Sequence, residues 1–140
     1  MTLSLTCGFA IGAAGLAACL ALCPAHGATE SVVYAFKGAN GGFLPSSSLT
    51  AVGEKFYGTT QEGGGHGCGG DGVGTIFSMT TQDEESVRHS FRGASDGAEP
   101  AATLIDVAGT LYGTTMEGGG STARACGRNE GCGTVSALTP

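Results

Sequence analysis

Phe56-Tyr57-Gly58-Thr59-Thr60-Gln61-Glu62-Gly63-Gly64-Gly65 returns 55 positions later as Leu111-Tyr112-Gly113-Thr114-Thr115-Met116-Glu117-Gly118-Gly119-Gly120. An aromatic–Gly–Thr–Thr run that passes into three glycines reads as a strand ending in a loop. The same offset links Ser31-Val32-Val33-Tyr34-Ala35-Phe36-Lys37-Gly38 to Ser86-Val87-Arg88-His89-Ser90-Phe91-Arg92-Gly93, Pro45 to Pro100, and Leu49 to Leu104. After a loop four residues longer in the second copy, Gly74-Thr75-Ile76-Phe77-Ser78-Met79 answers Gly133-Thr134-Val135-Ser136-Ala137-Leu138. Self-similarity at a fixed period is the signature of a repeat architecture.

Each repeat reads as about four short strands. In the first, Val32–Phe36 alternates, Ser48–Val52 and Lys55–Thr59 flank a Gly53-Glu54 hairpin signal, and Thr75–Thr80 follows the glycine loop. Thr75–Thr80 then turns through Gln82-Asp83-Glu84-Glu85 into Val87–Phe91, the opening strand of the second repeat. Four antiparallel strands per unit, joined unit to unit by a hairpin, is how propeller blades are built. The expected fold is therefore all-β and antiparallel: two propeller-like blades, or small open sheets, over 28–85 and 86–140.

Composition agrees. Glycine supplies 27 of 140 residues, against a usual share of about 7%, and no Gly-X-Y period marks collagen. Six Lys/Arg against twelve Asp/Glu give a formal charge of −6 without a basic cluster. That excludes an electrostatic nucleic-acid surface and disfavours anionic membranes.

Residues 1–27 are expected to be a signal segment. Residues 3–22 are apolar or small, no charge precedes Glu30, and Ala25 and Gly27 suit the −3 and −1 positions of a cleavage site. The run is also long enough to anchor in a bilayer. Leu16-Ala17-Ala18-Cys19 has the form of a lipobox, which makes Cys19 a lipidation candidate. Each of these readings places the chain outside the cytoplasm.

The series Phe-(Lys/Arg)-Gly, Pro, Leu, (Phe/Leu)-Tyr-Gly-Thr-Thr, Gly-Gly and Gly-Thr-(Ile/Val) resembles the bacterial tandem GloVer repeats of choice-of-anchor proteins. The resemblance spans about 31–140 and implies an extracytoplasmic, propeller-like array without an established catalytic activity, so it carries over no functional residues. Closed propellers use about four to eight blades, whereas this sequence shows two copies. It is expected to be a subunit that completes its sheets by self-association through open strand edges, a piece of a longer array, or a degenerate repeat protein. Ser136 also stands where the first copy has Phe77.

Several constellations invite chemistry. Gly93-Ala94-Ser95-Asp96-Gly97 has the nucleophile-elbow form, but an elbow needs a following helix, and Asn40 occupies the place of Ser95 in the first copy; a turn is expected. Gly65-His66-Gly67-Cys68-Gly69-Gly70 matches Gly-x-Gly-x-x-Gly, yet it leads into a strand and not into the helix that a dinucleotide site requires. Cys126 and Cys132 read as a disulfide clipping the second loop, with free thiols or a metal as alternatives; their spacing is poor for zinc. Cys68 is left as an odd thiol. The repeated aromatics suit a strand core better than a glycan platform. No cofactor and no catalytic group is expected. A polysaccharide-acting or hydrolytic fragment is the enzymatic alternative. Binding to a surface glycan or protein would fall to the loops that differ between copies, Gly63–Val73 and Gly118–Cys132, with His66, Cys68, Asp71, Arg124 and Arg128 as candidates.

Overall fold

The computed structural model describes residues 27–66, 72–120 and 131–140. The signal segment, Cys19 among it, lies outside them. Among the described residues the protein is all-β and antiparallel, with nine strands in two sheets and no closed propeller.

Sheet one is built on β3 (Lys55–Glu62). Along one edge lie β1 (Phe43–Pro45) and β2 (Thr50–Val52), end to end; β4 (Thr75–Thr80) lies along the other. The register settles the edges, because Thr60 faces both Pro45 and Thr75, and Tyr57 faces both Thr50 and Ser78. β5 (Glu85–Ser90) then pairs with the outer edge of β4, with a bulge between Ile76 and Phe77. The expected hairpins are present: Val52 faces Lys55 across Gly53-Glu54, and β4 returns as β5.

Sheet two repeats the plan on β8 (Thr110–Glu117), with β6 (Ala98–Pro100), β7 (Ile105–Val107) and β9 (Val135–Leu138). Pro100 faces Thr115 as Pro45 faces Thr60, and Gly113 faces Ser136 as Gly58 faces Phe77. The two sheets share one compact unit, Val32–Pro140. Its core draws Tyr57 and Ile76 from sheet one and Phe91, Leu104 and Leu111 from the second repeat. Fully burying such a side chain stabilises a fold by about 1.5–3 kcal/mol.

Two sequence expectations are corrected. Val32–Phe36 is not a strand. Its counterpart in the second repeat is held by backbone bonds to β4 of the first; among the described residues no earlier β4 exists for Val32–Phe36 to join. Conversely, β1 and β6 are strands that alternation does not announce. Each is three residues long, ends in proline, and carries a central residue in the left-handed region, Leu44 at φ 56° and Glu99 at φ 54°.

The quoted stretch finds its physical role at the second threonine. Thr60 Oγ1 donates to the Glu62 carbonyl at 2.9 Å and lies 2.8 Å from Thr75 Oγ1, both side chains being fully buried. A hydroxyl has one proton, so Thr75 donates to Thr60. The second copy is the same: Thr115 Oγ1 donates to the Glu117 carbonyl at 2.8 Å, lies 2.8 Å from Thr134 Oγ1 and accepts the Thr134 amide at 2.9 Å. Glycine roofs each pair. A Cβ on Gly42 would stand 2.3 Å from Thr60 Oγ1, and one on Gly63 would stand 2.3 Å from Gly42 Cα.

Removing one buried hydroxyl while leaving its partner costs about 1–3 kcal/mol. Thr60→Val is therefore expected to lower unfolding stability by roughly that amount in urea titrations. Thr81→Val, on an exposed turn, should change it by no more than about 0.5 kcal/mol.

Candidate functional site

The knot at the end of β3 and β8 closes the base of each variable loop. In the first repeat Gly63 bridges Val73, the Gly64 amide donates to the Ala39 carbonyl at 2.9 Å, and the Gly74 amide donates to the Gly63 carbonyl at 3.0 Å. In the second, Gly118 bridges Gly131, the Gly119 amide donates to the Ala94 carbonyl at 2.7 Å, and the Gly133 amide donates to the Gly118 carbonyl at 3.1 Å. Two loops of different sequence thus leave one common frame. His66 is exposed at the start of the first loop. Cys68, Asp71, Arg124, Cys126 and Arg128 lie outside the described residues. Cys132 is exposed and disulfide-bonded, and its candidate partner Cys126 falls in the undescribed part of its loop. No cluster of metal-ligating side chains occurs among the described residues.

The elbow-like Gly93–Gly97 is a short 3-10 turn, Ala94–Asp96, matching Ala39–Gly41 of the first repeat. The flanking glycines agree closely: φ 74° at both Gly38 and Gly93, then 82° at Gly42 and 95° at Gly97. No helix follows; the chain enters β6. Ser95 is exposed on the turn. Asp96 accepts the Arg92 amide at 3.0 Å and lies 3.2 Å from His89 Nε2. The His89 ring stands edge-on to Phe91 at 4.7 Å. Asp96 therefore closes the turn and orients an aromatic packing partner. The Gly-x-Gly-x-x-Gly run likewise leads to β4, with no helix between residue 72 and that strand.

The aromatics divide. Tyr57 and Phe91 are core, whereas Tyr34, Phe36 and Phe56 are half-buried and Tyr112 is exposed. Tyr34 and Phe36 meet edge-to-face at 5.2 Å, and Phe36 meets Phe77 at 5.0 Å. Together with Val33, Leu49 and Met79 they line an apolar cleft of about 350 Å3 on the face of sheet one. Tyr34 donates to Glu85 Oε2 at 3.1 Å, while Glu85 Oε1 is buried without a partner. Burial first, then the bond to this carboxylate, raises the Tyr34 pKa above 10.0. On sheet two a recess of about 270 Å3 is lined by Ile105, Tyr112 and Val135. Neither recess was marked by a motif. The one signal available was an apolar run, Val32–Phe36, with no earlier strand among the described residues to pair it.

No protein-family model, curated protein or solved structure matches the chain.

With Cys132 in a disulfide, thiol alkylation without reductant should leave it unlabelled, and reduction should expose it. Peptide mapping of the unreduced protein is expected to show it joined to Cys126. A crosslink to Cys68 would instead staple the two variable loops.

Proposed function

We propose that the protein is an extracytoplasmic, non-catalytic β-repeat module that works by binding and assembly. The observation that carries this is the contrast between frame and loops. The Thr–Thr knot, its glycine roof and the bridge at the loop base recur in both repeats, whereas the loops they hold differ in length and sequence. A scaffold that fixes the base of variable loops is the arrangement by which binding sites are presented on rigid folds. The ligand is a glycan or a protein met outside the cytoplasm. The likeness to GloVer-type repeats supports the same reading. So does the N-terminal apolar run, with small residues at Ala25 and Gly27.

Expression of the full chain with a C-terminal tag in a bacterial host tests the location. Intact mass and N-terminal sequencing should show an extracytoplasmic species beginning at Ala28, or one that begins at Cys19 with lipid attached. A tagged chain of unprocessed mass confined to the cytoplasm would overturn the reading. Within the exported protein, His66→Ala should weaken ligand binding and leave the unfolding midpoint unchanged.

A further inference from the structure

The contact between the two repeats inside one chain has both of its halves displayed again at the two ends of the Val32–Pro140 unit, without a strand partner among the described residues. The giving half belongs to the second repeat: β5, Phe91, Leu104 and Leu111. The receiving half belongs to the first: the outer edge of β4, Tyr57 and Ile76. Their meeting buries all of the apolar members, with Tyr57, Ile76 and Leu104 each 2% exposed and Phe91 and Leu111 each 1%. The backbone joins in. The Phe91 amide donates to the Gly74 carbonyl at 3.0 Å, and the Glu99 amide donates to the Val73 carbonyl at 2.8 Å.

The equivalent positions at the ends are more exposed. On the second repeat, Tyr112 stands for Tyr57 and is 38% exposed, and Val135 stands for Ile76 and is 77% exposed. Among the described residues β9 pairs only with β8, so the edge that β4 gives to β5 is unused on β9. On the first repeat, Leu49 stands for Leu104 and is 48% exposed, and Phe36 and Phe56 stand half-buried for Phe91 and Leu111. The Val32–Phe36 segment already holds the aromatic geometry of its counterpart. Its Tyr34–Phe36 pair meets at 89°, as His89–Phe91 meets at 87°. Val32 itself is 79% exposed.

The geometry points to head-to-tail self-association, in which Val32–Phe36 of a second copy adds as a strand to the free edge of β9. The proposal rests on the assembly part of the function given above and names its partner and register. Carrying the β4–β5 register across sets Thr134 opposite Ala35 of the second copy, Val135 opposite Tyr34, and, past the bulge, Ser136 opposite Val32. The Phe36 amide would then donate to the Gly133 carbonyl, and the Phe36 ring would pack against Tyr112 and Val135. A second copy is the occupant because each end face matches, position by position, one half of an interface the chain already makes with itself. Exposed strand edges pair by this route generally. The contact is heterologous: each copy gives one face and receives with the other, so successive copies build a ring or an open filament.

Sedimentation velocity of the full chain over a range of concentrations, with and without reductant, tests this. The wild type should form species larger than a monomer that survive reduction. Val135→Asp alters only the receiving face and Leu49→Asp only the giving face. Both replace exposed side chains, and circular dichroism checks that the β signature persists. Each variant alone should lose every species above the monomer. Mixed together they should form a dimer and nothing larger, since each still carries one intact face. The inference is overturned by a folded wild type that stays monomeric, by association that reductant abolishes, by variants that still self-associate, or by folded variants that fail to complement. A folded monomer leaves the exported binding module standing. Cytoplasmic retention in the fractionation experiment removes that module without altering the sedimentation result.

Discussion

A buried hydroxyl cannot stand without a partner, and this constraint organises both repeats. Leaving a hydroxyl unpaired away from water costs about 1–3 kcal/mol, a large fraction of a small domain's stability. Thr60 meets the cost by donating along its own strand to the Glu62 carbonyl and accepting across the sheet from Thr75. The arrangement binds the end of β3 to the start of β4, and it works only if the backbone above it carries no side chains. Hence Gly42, at φ 82°, and Gly63, at φ 94°. The glycines that raise the chain's glycine content to 27 of 140 are, at these positions, the roof of a polar knot. The same roof brings the Ala39–Gly41 turn and the loop base together, so one small polar cluster fixes a turn, a sheet end and the root of a variable loop.

A second constraint acts between repeats. Strand pairing satisfies backbone groups only when a partner strand is present, and β5 finds its partner in the preceding repeat. The consequence is visible in one chain. Glu85–Ser90 is a strand and Val32–Phe36 is not, although the two share Ser-Val and Phe-(Lys/Arg)-Gly at matching positions. Val33-Tyr34 favours a strand more than Arg88-His89 does, so the neighbour decides the outcome. Instead, Val32–Phe36 lies over Phe77 and Leu49, where its rings find apolar surface.

Most of the sheet plan was legible because it rests on local, repeated signals. The hairpins at Gly53-Glu54 and at Gln82–Glu85 are turn chemistry, and the spine strands are β-branched and aromatic runs bounded by glycine. The exposed turn at Ser95 followed from Asn40 at the same place in the first copy. β1 and β6 were hidden because each pairs only through its two end residues, around a left-handed Leu44 or Glu99 and beside proline, a pattern that alternation counts against a strand. The Thr–Thr knot was hidden for a different reason. Threonine is an ordinary strand residue, and nothing in the sequence separates Thr60, which bonds Thr75, from Thr59, whose hydroxyl instead meets Ser47 at 2.9 Å. The apolar clefts were hidden because they are made by residues distant in sequence. The loop candidates Cys68, Asp71, Arg124, Cys126 and Arg128 fall outside the described residues, so for them the sequence reading stands alone.

The differences between the copies also have a direction. In the first repeat the flat floor at Gly58 is covered by the Phe77 ring and Leu49; a Cβ there would stand 2.6 Å from the ring. In the second, Ser136 replaces Phe77, and among the described residues Leu104 covers Gly113. Phe91 is core in the joint between repeats, where its amide bonds the Gly74 carbonyl. Phe36 packs against the Phe77 ring of its own repeat at 5.0 Å. The first repeat thus keeps its apolar giving face partly covered by its own chain, whereas the second leaves Tyr112 and Val135 open. A unit that covers one end and opens the other has an asymmetric surface even though its two repeats share a fold, and in the proposed assembly that asymmetry would favour ordered, one-way addition over symmetric pairing.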